Sequence, residues 1–269
     1  MGSARFTAQR SWRPPPFIRN ANLRFILIAG TILYLFFALS SIEVNWTRVL
    51  EGGPRATRFI LAFFPPDFIS RGSAIFGGVL ESLWMTVAAT AVGVFLAVPL
   101  ALGGASNLAP WPVYLICRSI MAVTRTFPEI LVAIFFVKLF GFGTFAGFLT
   151  LTFATVGFNA KLLAEDIESI NPSSAEAVRA TGAGWFSWLA YGIQPQVLPR
   201  AIGLAIYRLD INFRESAIIG IVGAGGIGAT LTTAFDRYEY ESSAAILIVI
   251  ITIVMITELT SGRIRQWVK

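Results

Sequence analysis

The stretch "SLWMTVAATAVGVFLAVPLALGGASNLAPWPVYLIC", Ser82 to Cys117, contains no charged residue. A helix that crosses the hydrocarbon core of a bilayer needs about 20 predominantly apolar residues. Pro110 and Pro112 mark a turn within the stretch, so it holds one span and the start of another. Outward from it, residues 25–42, 139–160, 216–235 and 242–257 are also uncharged. These runs predict six membrane helices, near 24–42, 77–104, 113–139, 143–161, 198–222 and 241–260. The first run is too long for the h-region of a signal peptide, and "SSIEVNW" is a poor small-residue cleavage site. The expected fold is an all-α integral membrane protein with about six transmembrane helices.

Composition agrees. Of 269 residues, 55% are hydrophobic and 13% charged, against roughly 25% charged in an ordinary soluble domain. There is no histidine and one cysteine, Cys117. An intrachain disulfide and His-based triads are thereby excluded, and no metal site is expected. The net charge is +6, but the basic residues are scattered rather than grouped on one solvated face, which argues against nucleic-acid binding.

Lys and Arg placement sets the expected orientation. Eleven fall on one side: Arg5, Arg10, Arg13, Arg19, Arg24, Lys161, Arg179, Arg200, Arg263, Arg265 and Lys269. The other side has six: Arg48, Arg55, Arg58, Arg71, Lys138 and Arg237. Both termini are therefore expected in the cytoplasm. The chain divides into a cytoplasmic segment 1–24, a first helix and external loop 25–76, a core 77–262 and a cytoplasmic tail 263–269. The core carries a cytoplasmic loop, 161–200. Within the external loop, "RATRFILAFFPP" suggests a short interfacial helix ended by Pro65 and Pro66.

In "IIGIVGAGGIGATLTTAF", Gly223, Gly225 and Gly228 match G-x-G-x-x-G. A dinucleotide site needs a preceding strand, a following helix and a parallel sheet. Membrane helices surround this match, so we read it as coincidental. Gly223, Gly225, Gly226 and Gly228 provide close packing or a sharp turn, or alternatively a gate.

The cytoplasmic loop includes "NPSSAEAVRATGAGWFSWLAYGIQPQVLPR", residues 171–200. Ser173 stands three residues before Glu176, a capping-box spacing. Gly182 fits a left-handed helix end. A second amphipathic piece, 185–193, is expected to end at Pro195, with Pro199 opening the fifth membrane helix. Trp185, Phe186, Trp188 and Tyr191 are expected to face the cytosol and to need a partner.

This loop resembles the EAA motif of binding-protein-dependent ABC-importer permeases, with Glu176, Ala177, Gly182 and Pro195 on the pattern. Val178, Gly192 and Gln194 depart from it. "ESLWMTVAATAVGVFLAVPLAL", "RTFPEILVAIFFV" and "DINFRESAIIGIVGAGGIG" resemble the phosphonate- and phosphite-import subfamily; the likeness covers about residues 77–262. The resemblance implies a type I permease fold in the bacterial inner membrane, and a homodimer whose 171–195 loops dock on an ATPase dimer. It also implies a periplasmic or lipoprotein binding protein that delivers a phosphorus oxyanion, and surrounding lipid. ATP and Mg would be bound by the ATPase. This chain lacks a Walker A motif and is expected to carry neither cofactor nor catalytic residue.

The charges inside the spans are weighed against the anionic cargo that the resemblance implies. Arg125 and Glu129, and Asp210 and Arg214, are four apart and are expected to pair along one helix. Such ions pin helices together or line a pathway; both readings stay open. The alternative to an importer subunit is a stand-alone secondary transporter or channel for a small anion. The capped loop and the lack of a visible inverted repeat speak against it.

Overall fold

The computed structural model describes residue 18 and residues 20–42 and 45–268. Arg5, Arg10, Arg13, Arg19 and Lys269 lie outside those residues, as does most of the expected cytoplasmic segment 1–24. All regular structure among the described residues is helical. The chain divides into two compact units, residues 1–58 and 59–269.

In the first unit, α1 (Ala21–Ser40) begins where Asn20 Oδ1 accepts the Asn22 N–H at 3.1 Å, which satisfies a free first-turn donor. Its side chains are mostly apolar and nearly all exposed, as suits a helix facing lipid. The amphipathic α2 (Trp46–Leu61) runs across the unit boundary. It starts earlier than "RATRF" suggests and includes Pro54.

The second unit is a bundle. Its helices are α3 (Gly72–Gly103), α4 (Trp111–Thr126), α5 (Glu129–Phe140), α6 (Thr144–Glu168), α7 (Pro172–Ala180), α8 (Trp185–Trp188), α9 (Gln194–Ile221), α10 (Gly226–Asp236) and α11 (Tyr240–Val268). Among the described residues, five segments are long and apolar enough to cross a membrane, and six if α4 and α5 count as one broken span. The expected continuous helix 113–139 is broken: α4 and α5 meet at 90°. Pro128 is the cause, because a residue before proline avoids the helical region, and Phe127 is extended (φ −86°, ψ 125°). α6 runs on to Glu168, so Lys161 lies on a membrane helix rather than in the loop. α10 departs from the six-helix expectation; it occupies the second half of the uncharged run 216–235.

α3, α6 and α9 form the centre. In lipid there is no hydrophobic gain between helices, so association depends on close packing and is favoured by small residues. Ala97, Ala101, Ala160 and Ala164 fill one end of the α3–α6 seam, closed by Met121 of α4 and by Ile193 and Val197. Ala89, Ala146 and Leu151 pack with Ala133 of α5 and Ile219 of α9 further along. At the far end Ile75 of α3 meets Ile227 and Leu231 of α10 and Ile246 of α11. Several threonines return their hydroxyl to their own helix: Thr150 to Ala146 O at 2.8 Å, Thr124 to Ile120 O at 3.0 Å. That bond leaves no donor to be buried unpaired in an apolar seam.

Candidate translocation and coupling site

A polar belt crosses the bundle at the level of the α4–α5 break. Arg208, Asn212 and Glu215 recur on one face of α9 at spacings of four and three. Arg208 is 3% exposed. Its Nη2 lies 3.2 Å from Glu215 Oε2 and 3.4 Å from Glu129 Oε1. Its Nε donates to Thr155 Oγ1 at 3.3 Å, and its guanidinium stands 5.3 Å over the Phe158 ring. The Asn212 amide donates to both Thr155 Oγ1 and Thr90 Oγ1 at 2.8 Å. Four elements thus meet through one network, and a buried guanidinium is held by two carboxylates.

The intramembrane pairing differs from the expected one. Glu129 opens α5, beyond the 90° break, and pairs with Arg208 instead of Arg125. Along-helix pairing requires a continuous helix, and Pro128 removes it. Asp210 and Arg214 do pair, at 3.5 Å, and Arg214 also reaches Glu258 of α11 at 3.8 Å. Arg118 bonds Glu168 at 2.9 Å and donates from Nε to Gly104 O at 2.8 Å. Arg125 has no ion pair among the described residues. Arg208, Asn212, Thr155 and Thr90 were absent from the expected site; the helical spacing of polar residues in "YRLDINFRES" was the available signal for the first two.

The loop between α6 and α9 is a closed hairpin. Asn171, not Ser173, caps α7: its Oδ1 accepts the Ser173 N–H at 3.0 Å, and Pro172 takes the first helical position. Gly182 turns the chain at φ +81°. α8 then continues through a π-helical turn, Leu189–Ile193, directly into α9. Pro195 therefore sits in the first turn of α9 rather than ending a helix, and Pro199 lies inside α9. Trp188 is turned inward: its Nε1–H donates to Ala175 O at 2.9 Å, and the Arg179 guanidinium stacks 5.1 Å from its ring. Gln196 ties the hairpin base, accepting from Asn171 N at 2.9 Å and donating to Gly192 O at 2.7 Å. Glu176, Ala177, Gly182 and Pro195 are exposed, as are Phe186 and Tyr191.

The glycines form the turn from α9 into α10. Gly223, Gly225 and Gly226 have φ of +93°, +80° and +72°. Gly223 O accepts from Gly143 N at 3.0 Å, and Ser82 Oγ accepts from Ile227 N at 2.9 Å. A Cβ on Gly220 would lie 2.7 Å from Gly228 Cα. The turn is wedged between α3 and the α5–α6 connection with no room for side chains, and helices flank it on both sides, unlike a dinucleotide loop.

The bundle is similar to a chain of the MetNI methionine ABC transporter in an inward-facing conformation. The TM-score is 0.64 at 24% identity, over 72% of this chain and 96% of that one. This architecture is that of a type I ABC-importer permease. Residues 89–269 match the family described as "Binding-protein-dependent transport system inner membrane component", and the chain belongs to that family. The phosphite transport system permease protein PtxC of Stutzerimonas stutzeri is 35% identical over 244 residues, 90% of this chain and 88% of that protein. The phosphate-import permease protein PhnE of Mycolicibacterium smegmatis is 39% identical over 203 residues, 75% of this chain. This chain covers only 38% of that longer relative. The chain is a multi-pass inner-membrane permease of an ABC importer, which sets aside a stand-alone transporter or channel.

Proposed function

We propose that this permease imports a phosphorus oxyanion: phosphonate, phosphite, hypophosphite or phosphate. The observation that carries this reading is its 35% identity, across 90% of the chain, to a permease named for phosphite transport. Two copies form the path. A binding protein delivers the anion at the external face, and both termini lie in the cytoplasm. The chain holds no ATPase site; ATP and Mg are bound by a partner ATPase dimer. ATP closes that dimer, draws the two α7–α8 hairpins together and opens the membrane helices outward; hydrolysis reverses this. Glu176, Ala177 and Gly182 on the exposed face of the hairpin, with Pro195 at its base, make the contact. Arg125 faces the anion path. Glu129, Asp210 and Arg214 hold the helices that border it, while Gly223, Gly225, Gly226 and Gly228 fix the α9–α10 turn.

Uptake into proteoliposomes with the ATPase and binding protein tests this, with the four anions and sulfate in competition. ATP-dependent uptake of at least one phosphorus anion, unaffected by sulfate, is expected; uptake of none of them overturns the substrate assignment. Glu176→Lys with Gly182→Trp should abolish ATPase co-purification, and normal stoichiometry and transport in that variant would refute the coupling role.

A further inference from the structure

A cavity of about 430 Å³ opens between α4 and α6, lined by Arg118, Met121, Ala122, Arg125, Thr126 and Lys161. That volume lies in the range of small-molecule sites, roughly 300–1,000 Å³. Carboxylates answer two of its three cations: Glu168 lies 2.9 Å from Arg118, and Glu165 lies 3.6 Å from Lys161. Among the described residues, no carboxylate answers Arg125. Arg208 and Arg214, by contrast, each face two carboxylates. Arg125 thus differs from the other three arginines at 118, 208 and 214 in having a guanidinium uncommitted to a carboxylate.

Its position is fixed by close packing. Gly157 of α6 lacks the Cβ that would press on Thr124 and come within 3.4 Å of Arg125 Cγ, so the arginine stem lies across this glycine. Lys161 follows Gly157 by one turn of α6, toward the hairpin end. Arg118 stands seven residues before Arg125 on α4, about 10 Å nearer the same end. The cavity therefore runs inward from the hairpin end of α6, with its unpaired charge at the inner limit.

We propose that this cavity is an oxyanion-holding site on the cytoplasmic side, binding a tetrahedral phosphorus group through Arg125 and through Lys161, whose 3.6 Å pair with Glu165 is long and open to solvent. The proposal rests on the import reading above for its cargo. Two sources share this chemistry, free oxyanion leaving the path and the phosphate of an anionic lipid headgroup. The inner position of Arg125 favours the free anion, because a headgroup would be met first by Arg118, about 10 Å nearer the hairpin end. Committed arginines elsewhere leave an anion in transit no other uncompensated guanidinium among these four.

The test uses the permease–ATPase complex in nanodiscs without the binding protein, and radiolabelled inorganic phosphate and phosphite as probes. In phosphatidylcholine discs the wild type should bind at least one probe. Arg125→Gln and Lys161→Gln should each weaken binding about tenfold, the contribution of one charge-assisted hydrogen bond. Lys138→Gln, outside the cavity, should not. A second arm adds phosphatidylglycerol and reads retained lipid by native mass spectrometry. Lipid retained by the wild type but lost in Arg125→Gln supports the site with a headgroup as its occupant. Probe binding and lipid retention both unchanged in the cavity variants, or absent from the wild type, overturn the site. Uptake by the complete wild-type importer judges the import reading separately: transport of a phosphorus anion by the wild type, together with probe binding and lipid retention unchanged in the cavity variants, preserves that reading and removes this site.

Discussion

Glu129 pairs at 3.4 Å with Arg208, a residue 79 positions away, and not with Arg125 four positions before it. The pairing ties the start of α5 to the middle of α9 across the α4–α5 break. Arg208 also holds Glu215 at 3.2 Å, so one buried cation restrains two carboxylates from different helices.

Loss of that cation should be severe. Arg208→Met leaves Glu129 and Glu215 unpaired within the bundle, and breaking a buried pair costs on the order of 3 kcal/mol. A large fall in detergent-extracted folded yield and in Tm is expected. Adding Glu129→Gln and Glu215→Gln should restore much of both, because the repelling charges are gone. Size-exclusion profiles and thermal melts of the single and triple variants check this.

The glycine turn makes a graded test. Gly225 has φ +80° and ψ −169°, a region essentially reserved for glycine, and a Cβ there would lie 2.7 Å from Thr144 N. Gly225→Ala should destabilise by about 1–3 kcal/mol from backbone strain alone, with the clash added. Gly203 of α9 has open space at its Cβ position. Gly203→Ala should be neutral or stabilising by about 0.5–1 kcal/mol. Melting temperatures of the two variants in one detergent decide the ordering.

Trp188→Phe should separate hairpin rigidity from hairpin contact. It removes the 2.9 Å bond to Ala175 O while keeping an aromatic ring under Arg179, a loss of about 1 kcal/mol. Membrane expression should hold while ATP-dependent uptake falls several-fold. Phe186 is 80% exposed on the same hairpin, so Phe186→Ala should weaken ATPase co-purification without altering the melt.

At the opposite end of the bundle, Arg71 beside α3 forms a two-point bond with Glu239, which precedes α11; Nη2 to Oε1 is 3.0 Å. The Arg71 hydrogen bonds hold the Glu239 carboxyl below its ordinary value, with Arg237 adding to the effect. A carboxyl lowered in the folded state contributes stability above its unfolded value and loses it as pH falls through the folded value. The Tm advantage of wild type over Glu239→Gln should therefore be constant from pH 7 to 5 and shrink below about pH 4. An advantage undiminished at pH 3 would refute the assignment.

The spans were readable because an uncharged run of membrane length cannot be clothed in polar side chains and so belongs in lipid. Pro128 is a residue that resists helix, but the 90° break it permits is not legible in the sequence, which does not give the angle the surrounding helices impose. That angle then decided the partner of Glu129. α10 was hidden because residues 216–235 form one uncharged run, in which three positive-φ glycines divide two helices without any change in polarity. Asn171 and Ser173 both suit a cap; Pro172 favours the earlier one, since proline fits the first helical position.

The hydroxyls that threonines return to their own backbones carry a consequence for sequence drift. To its neighbours, a threonine closed on its own helix presents the outline of a valine. Thr150, fully buried and bonded only to Ala146 O, should exchange with valine without effect on transport. Thr155 accepts from both Arg208 and Asn212, and the same exchange there would orphan two donors. Two residues of one type, five positions apart on one helix, thus stand under opposite selection, one free to lose its oxygen and one bound to keep it.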